Sequence, residues 1–316
     1  MKRVSIVIPT YNEEENIPKV YQKVTLLFED ALKNYDYEIL FIDNCSEDKS
    51  QETILQLTQN NTHVKAIFNA KNFGFSRSTF YGITQATGDC CVLLFADMQD
   101  PPETIVDFVK EWEKGFKIVI GIKAKSKEKK WMYFVRSCYY QVLKEICEID
   151  HIKQFDGFGL YDDAFLNVLR KLDDPLPYLR GIVAELGFAR KEVYYTQAKR
   201  EFGKTKFNFF KLYDVAMLGI TSYSKIVMRL ATLIGFGVAV ISLVVAGVTF
   251  VYKIFNWKSF PVGNAAISIG VFFFGAVQLF FIGLLGEYIL NINTRILHRP
   301  LVIEERRLNF DSDTKQ

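Results

Sequence analysis

Between Arg3 and Ile122 the chain alternates short, nearly unbroken apolar runs with stretches of helical periodicity. The runs are VSIVIP (Val4–Pro9), YEILFID (Tyr37–Asp43), VKAIF (Val64–Phe68), CCVLLFA (Cys90–Ala96) and KIVIGI (Lys117–Ile122). Runs apolar at almost every position predict strands covered on both faces, and hence a mainly parallel sheet with helices on either side. The helical stretches Glu14–Ala31, Lys49–Gln59, Ser76–Ala86 and Pro102–Gly115 supply the crossovers. Right-handed crossovers bring the loops after Pro9, Asp43, Phe68 and Ala96 to one rim of that sheet. Those loops, TYNEEEN, DNCSEDKS, NAKNFGFSR and DMQDPPE, hold the polar residues. The polarity lies where an open α/β sheet binds a ligand.

The second half changes character. Leu230–Tyr252 and Ser259–Gly286 contain no charged residue, and only KIFNWK (Lys253–Lys258) separates them. About 20 apolar residues span a bilayer core of roughly 30 Å, so the pattern predicts a two-helix transmembrane hairpin rather than a pair of buried core helices. Lys225 and Arg229 precede the first span, and Arg295, Arg299, Arg306 and Arg307 follow the second. That basic excess places both termini in the cytoplasm of a multi-pass cell-membrane protein. Phe207–Val227 is aromatic and amphipathic, as suits a helix in the headgroup layer. The expected organisation is a cytosolic α/β domain (1–206), an interfacial helix (207–227), the hairpin (228–290) and a cytosolic tail (291–316).

Composition changes this picture little. With 316 residues the chain holds one large or two ordinary domains, and 39 Lys plus Arg against 36 Asp plus Glu leave +3, so charge does not argue for nucleic acid. Five cysteines without a CxxC pair, and three histidines, speak against a zinc site or disulfide framework. The start, MKRVSIVIPT, breaks at Pro9 and reads as a strand rather than a signal peptide. The basic run Lys123–Trp131 is either a solvated loop or a loop meeting anionic substrate or headgroups.

A soluble α/β domain with carboxylate loops, tied to a membrane hairpin, suggests joining a polar activated substrate to a lipid. A departing diphosphate needs charge neutralisation, which Mg²⁺ or Mn²⁺ on one or two protein oxygens supplies. Asp97 and Gln99 lie two apart after a strand, so both can face one side of the rim. The plain alternative for ADMQDPPE is a polar turn before a helix opened by Pro102.

Taken together, SIVIPTYNEEENI, FIDNCSED, NFGFSRSTFYGITQATGD, ADMQDPPE, REFGKTKF, LLGEYI and HRP make the chain similar to the family 2 inverting glycosyltransferases of GT-A fold. It resembles in particular the polyprenyl-phosphate group containing bactoprenol glucosyltransferases and dolichol-phosphate mannosyltransferases. The resemblance implies that Pro9, Tyr11, Glu13 and Asp43 cradle the uracil and ribose of a UDP-sugar, and that Asp97 and Gln99 hold Mg²⁺ or Mn²⁺ with Asp100 supporting the loop. It implies Asp97, Asp156 and Arg200 as catalytic residues, and Arg200, Lys204 and Lys206 as cations for the acceptor phosphate; ordinary membrane-flanking charge is the other reading of those three. Relatives commonly carry a further Asp two positions before Asp97, where this chain has Phe95. They carry an acid and an Arg where it has Gly157 and Gly159, with Asp156 one position early. Asp156 is read either as base or orienter or as a helix cap.

The resulting expectation is transfer of a hexose from a UDP-sugar to undecaprenyl phosphate at the cytoplasmic face, for cell-wall or surface-glycan modification. The expected partners are the lipid bilayer, further copies of the chain, a flippase and a downstream glycosyltransferase, with no nucleic acid. The alternative is a catalytically inactive protein that binds nucleotide sugar or lipid within a flippase complex.

Overall fold

A computed structural model of the chain describes residues 1–125, 152, 154–198, 217, 233, 236–237, 240–241, 244, 251, 255, 264–297 and 299–310. The first three apolar runs fold as β1 (Arg3–Thr10), β2 (Asp36–Asp43) and β3 (Val64–Asn69), and the fourth and fifth as β4 (Cys90–Leu93) and β5 (Ile118–Lys125). The crossovers are α1 (Ile17–Glu29), α2 (Ser50–Asn60), α3 (Phe75–Thr84) and α4 (Thr104–Glu113). Then follow β6 (Gly159–Asp162), α5 (Asp163–Lys171), α6 (Leu179–Glu185), β7 (Arg190–Thr196), α7 (Asn264–Ile296) and β8 (Glu304–Leu308).

The strands form one sheet in the order β7-β5-β6-β4-β1-β2-β3-β8. Strand alternation divides the core into two layers. Ile6, Ile8, Ile39 and Phe41 face α1 and α4 through Val20, Val24, Phe108 and Trp112. Val7, Leu40 and Ile42 face Phe80 and Ile83 of α3, in a layer completed by Phe165 and Leu169 of α5. Because both faces are covered, Ile39, Leu40, Phe41 and Ile42 are all fully buried.

The sheet is mainly parallel, as expected, with two antiparallel strands among its eight described ones. β1, β2, β3 and β4 are parallel, and β5 and β7 run the same way, but β6 is antiparallel to both β4 and β5 and β8 is antiparallel to β3. β8 comes from the tail assigned to 291–316. It pairs with β3, Ala70 N–H donates to the Ile303 carbonyl at 2.9 Å, and Asn309 Nδ2 donates to the carbonyls of Thr58 and Val64, each at 2.8 Å.

Among the described residues, one helix is long and apolar enough to cross a membrane: α7, over Val277–Thr294, none of it buried against the rest of the chain. It runs ten residues beyond the Gly286 end expected for the second span. The first expected span is described only at Leu233, Phe236, Gly237, Val240, Ile241, Val244 and Val251, all helical. The interfacial segment Phe207–Val227 lies outside the described residues except for Met217, also helical.

Candidate active site

The strand directions decide which residues meet. β1, β2, β4, β5 and β7 all end at one rim and β6 begins there, so Thr10, Asp43, Asp97, Lys123, Thr196 and Asp156 approach the same edge. The strand order reverses between β4 and β1, the switch point where open α/β sheets place a ligand.

On one side of that point the first two loops are clasped together. Thr10 lies opposite Asp43 in register, and Asn44 N–H donates to the Thr10 carbonyl at 3.0 Å. Asn12 N–H donates to Ser46 Oγ, Glu13 N–H to Ser50 Oγ and Glu47 N–H to Asn12 Oδ1, each at 2.8 Å. Tyr11 and Glu13 are half-buried along this seam, and Glu13 accepts from Asn16 Nδ2 at 2.6 Å. Asp43 is fully buried. Its carboxylate accepts from Ser46 N–H at 3.0 Å, from the Ser46 hydroxyl and from Gln51 Nε2 at 2.9 Å. Burial raises its pKa, and the Ser46 bonds oppose that rise. Asp43 thus holds its own loop in shape.

On the other side lies the segment after β4. Phe95, Asp97 and Gln99 are half-buried, whereas Leu94, Ala96, Met98 and Asp100 between them are buried. Asp97 and Gln99 are joined locally: Asp97 Oδ1 accepts the Gln99 N–H at 3.2 Å across a left-handed Met98 (φ 59°). The loop is pinned to the end of β7: Ala198 N–H donates to the Gln99 carbonyl at 2.9 Å, and Gln197 Nε2 to Gln99 Oε1 at 3.3 Å. Oxygen-bearing side chains such as those of Asp97 and Gln99 are the type that a hard divalent cation takes. Among the described residues no group of three His, Cys, Asp or Glu could hold a metal ion. Here such an ion would take its remaining oxygens from water or from a ligand diphosphate.

Behind this loop stands a partly buried charge cluster. Lys123 Nζ lies 2.5 Å from Asp156 Oδ2 and 4.0 Å from Asp100 Oδ1. The Tyr195 hydroxyl donates to Asp100 Oδ1 at 2.5 Å. Asp100 is 1% exposed, and its pKa is pushed up to about 7 by burial and then by the neighbouring Asp156 charge, against the pull of Lys123. Burial works against the Lys123 ammonium, but the carboxylates of Asp156 and Asp100 outweigh it, so its pKa lies above the ordinary value. The hydroxyl of Tyr195 is raised by burial and by Asp156. Neither Lys123 nor Tyr195 was among the expected site residues. Extending the rim argument to the end of the fifth strand would have found Lys123; Tyr195 gives no such signal, because four of the seven residues of β7 are charged or threonine.

The turn that carries Asp156 explains the two glycines beside it. Gly157 has φ 116°, a region closed to most side chains. At Gly159 a Cβ would come within 2.5 Å of the Val119 carbonyl oxygen, so β5 and β6 can pair there only over glycine. Both are required by the backbone. Asp156 does not cap a helix: α5 is capped by Asp162, whose side chain accepts from Ala164 N–H at 3.0 Å. Arg200, Lys204 and Lys206 lie outside the described residues.

An α/β sheet with carboxylates and a lysine gathered at its switch-point rim is a GT-A-like domain. Residues 5–172 match the model of glycosyl transferase family 2, and the chain belongs to that family; it is a glycosyltransferase. Its relatives include an uncharacterised glycosyltransferase of Synechocystis sp. (30% identical over 95% of this chain and 94% of that one). A bactoprenol glucosyl transferase of Shigella phage SfV is 32% identical over 95% and 97%, and a prophage bactoprenol glucosyl transferase homolog of Escherichia coli K12 is 31% identical over 96% and 99%. Among solved structures, mannosyl-3-phosphoglycerate synthase from Rubrobacter xylanophilus covers 74% of this chain and 75% of its own at 15% identity, with a TM-score of 0.48.

Proposed function

We propose that the protein moves a hexose from a UDP-sugar to a polyprenyl phosphate, undecaprenyl phosphate in the first instance, at the cytoplasmic face of the cell membrane. The observation that carries this reading is the meeting of Asp97, Gln99, Lys123 and Asp156 at one rim, in a chain similar along its length to enzymes named for bactoprenol glucosylation. The nucleoside would lie along the seam of Pro9, Tyr11 and Glu13, with Asp43 holding the loop beside it. Asp97 and Gln99 would hold Mg²⁺ or Mn²⁺ against the diphosphate, where the ion would neutralise the charge of departing UDP.

A lipid monophosphate has a second pKa of about 6 and is largely dianionic at neutral pH, so it needs placement more than deprotonation. Asp156 would orient it or take its last proton, and Arg200, Lys204 and Lys206 would screen it. Direct displacement would invert the anomeric centre, forming the phosphate–sugar bond as the sugar–diphosphate bond breaks. A membrane hairpin with both termini cytoplasmic would keep this site at the lipid surface. A flippase, a downstream glycosyltransferase and further copies of the chain are the partners such a product calls for.

Incubating the detergent-purified chain with Mn²⁺, undecaprenyl phosphate and radiolabelled UDP-glucose, UDP-galactose or UDP-N-acetylglucosamine tests this reading. Label from one donor should enter the organic-extractable lipid, with one UDP released per sugar. Label that stays in water with every donor would overturn it.

A further inference from the structure

The half-buried residues after β4 begin not with an acid but with Phe95, which packs in part against both core layers and leaves the rest of its ring uncovered. Its ring meets Phe75, the first residue of α3, with centroids 5.6 Å apart and planes tilted by 44°. Phe75 is 44% exposed. The Phe95 ring also borders the Asp156 turn: its Cζ lies 3.8 Å from the position a Cβ on Gly157 would take. A pair of aromatic rings therefore stands, partly open, beside the carboxylate-bearing loop and the Asp156 turn. Phe95 stands two residues before Asp97 and its ring borders the residue after Asp156, the two carboxylates that the proposed transfer uses. A single exposed apolar residue needs no explanation, but a tilted, partly open aromatic pair beside a carboxylate-bearing loop does.

We infer that Phe95 and Phe75 form the platform on which the transferred sugar ring lies, apolar face down, between the diphosphate at Asp97 and the acceptor phosphate at Asp156. The ligand class is a hexopyranose presenting a flat C–H face; this rests on the nucleotide-sugar reading above. The C–H bonds of a pyranose carry partial positive charge and the face of an aromatic ring partial negative charge, so stacking adds attraction to the area buried. Few polar groups then suffice to set the ring's orientation. Position favours the sugar over the lipid chain. The sugar must sit between leaving group and nucleophile, whereas the prenyl chain must lead away from the nucleophile toward the bilayer. Gly157 keeps the gap between platform and Asp156 open, because a side chain there would be strained at φ 116° and would meet Leu93 Cδ2 at 3.3 Å.

The test uses the full chain in detergent with Mn²⁺, and compares UDP with the three UDP-hexoses by calorimetry. The variants are Phe75→Ala and Phe95→Leu, with Phe95→Tyr as the variant that keeps a ring. Loss of the platform should weaken the preferred UDP-hexose by about three- to tenfold and leave UDP itself within about twofold, while Phe95→Tyr stays near wild type. Equal weakening of UDP and UDP-hexose would overturn the proposal and place the rings under the nucleotide. Unchanged donor binding with a raised KM for undecaprenyl phosphate would overturn it in favour of the lipid chain. Unchanged donor binding and unchanged kinetics would overturn it outright. A wild-type protein that binds neither UDP nor any UDP-hexose would instead defeat the donor reading beneath it. Thermal unfolding of each variant in the same detergent separates these results from misfolding.

Discussion

Lys123 is placed among carboxylates that would otherwise repel one another. Its side chain is 14% exposed and its ammonium faces Asp156 and Asp100. Lys123→Met should lower stability by roughly 1–3 kcal/mol, less than for a fully enclosed pair because Asp156 keeps 25% of its side chain exposed. Transfer should fall further than stability, since Asp156 loses the group that holds it; the check is kcat at a temperature where the variant is fully folded. Glu38 gives a separate prediction. It accepts from Ser5 Oγ at 2.6 Å and from Thr87 N–H and Oγ1, both at 2.7 Å, and pairs with Lys65 at 2.6 Å. Burial raises its pKa, but these partners outweigh burial and hold it below the ordinary 4.5. A depressed carboxylate stabilises the fold above its unfolded pKa and loses that contribution as pH falls through the folded value. Glu38→Gln should therefore cost about 3 kcal/mol at pH 7, and the gap to wild type should close as pH drops below about 4.5. Urea unfolding at several pH values reads it, and a gap constant across pH would refute the assignment. At this scale the sequence disclosed residue types but not their directions. The spacing of Asp97 and Gln99 fits the local turn in which Asp97 accepts the Gln99 N–H, whereas the hydrogen bonds that hold the buried Asp43 depend on Ser46 and Gln51 folding back onto it.

The first five strands and four crossover helices were legible because each buries a continuous or periodic apolar face. β6, β7 and β8 were not. GLYD is four residues long and owes its place to a glycine that lets β5 approach, while RKEVYYT and EERRL are too polar to announce a strand. β8 is amphipathic in an unusual way: Arg306 lies over the Phe68 ring at 4.3 Å, and Arg307 pairs with Glu304 at 2.6 Å and donates to Gln85 at 3.1 Å. Covering β3 with this charged strand removes an apolar edge that would invite pairing between chains. Ending the chain before Leu301 should lower the unfolding temperature by several degrees, roughly the loss of a few kcal/mol, and should promote aggregation. Thermal unfolding with light scattering measures both, and an unchanged midpoint would show that β8 is not needed. A chain ended near Lys206 loses this strand as well as the membrane segment, so weak turnover by it would not by itself report on anchoring.

For the whole molecule, the membrane pattern and the sheet are joined through α7. At about 1.5 Å per residue its 33 residues span roughly 50 Å, more than a bilayer core of about 30 Å, and seven residues later the chain enters β8. The chain should remain in the membrane fraction after an alkaline carbonate wash; its release would contradict the hairpin. The central claim is that the rim of Asp97, Gln99 and Asp156 is where a metal-assisted sugar transfer to a lipid phosphate takes place. Its most direct test is the initial rate of transfer to undecaprenyl phosphate, measured across a Mn²⁺ titration for wild type and for Asp97→Asn. Wild type should be inactive with EDTA and saturate with added metal, and Asp97→Asn should fall at least about a hundredfold at every concentration, since the removed ligand costs several kcal/mol of transition-state stabilisation. A variant that stays within tenfold of wild type, with the same metal dependence, would show that ADMQDPPE is a turn and that the chemistry lies elsewhere.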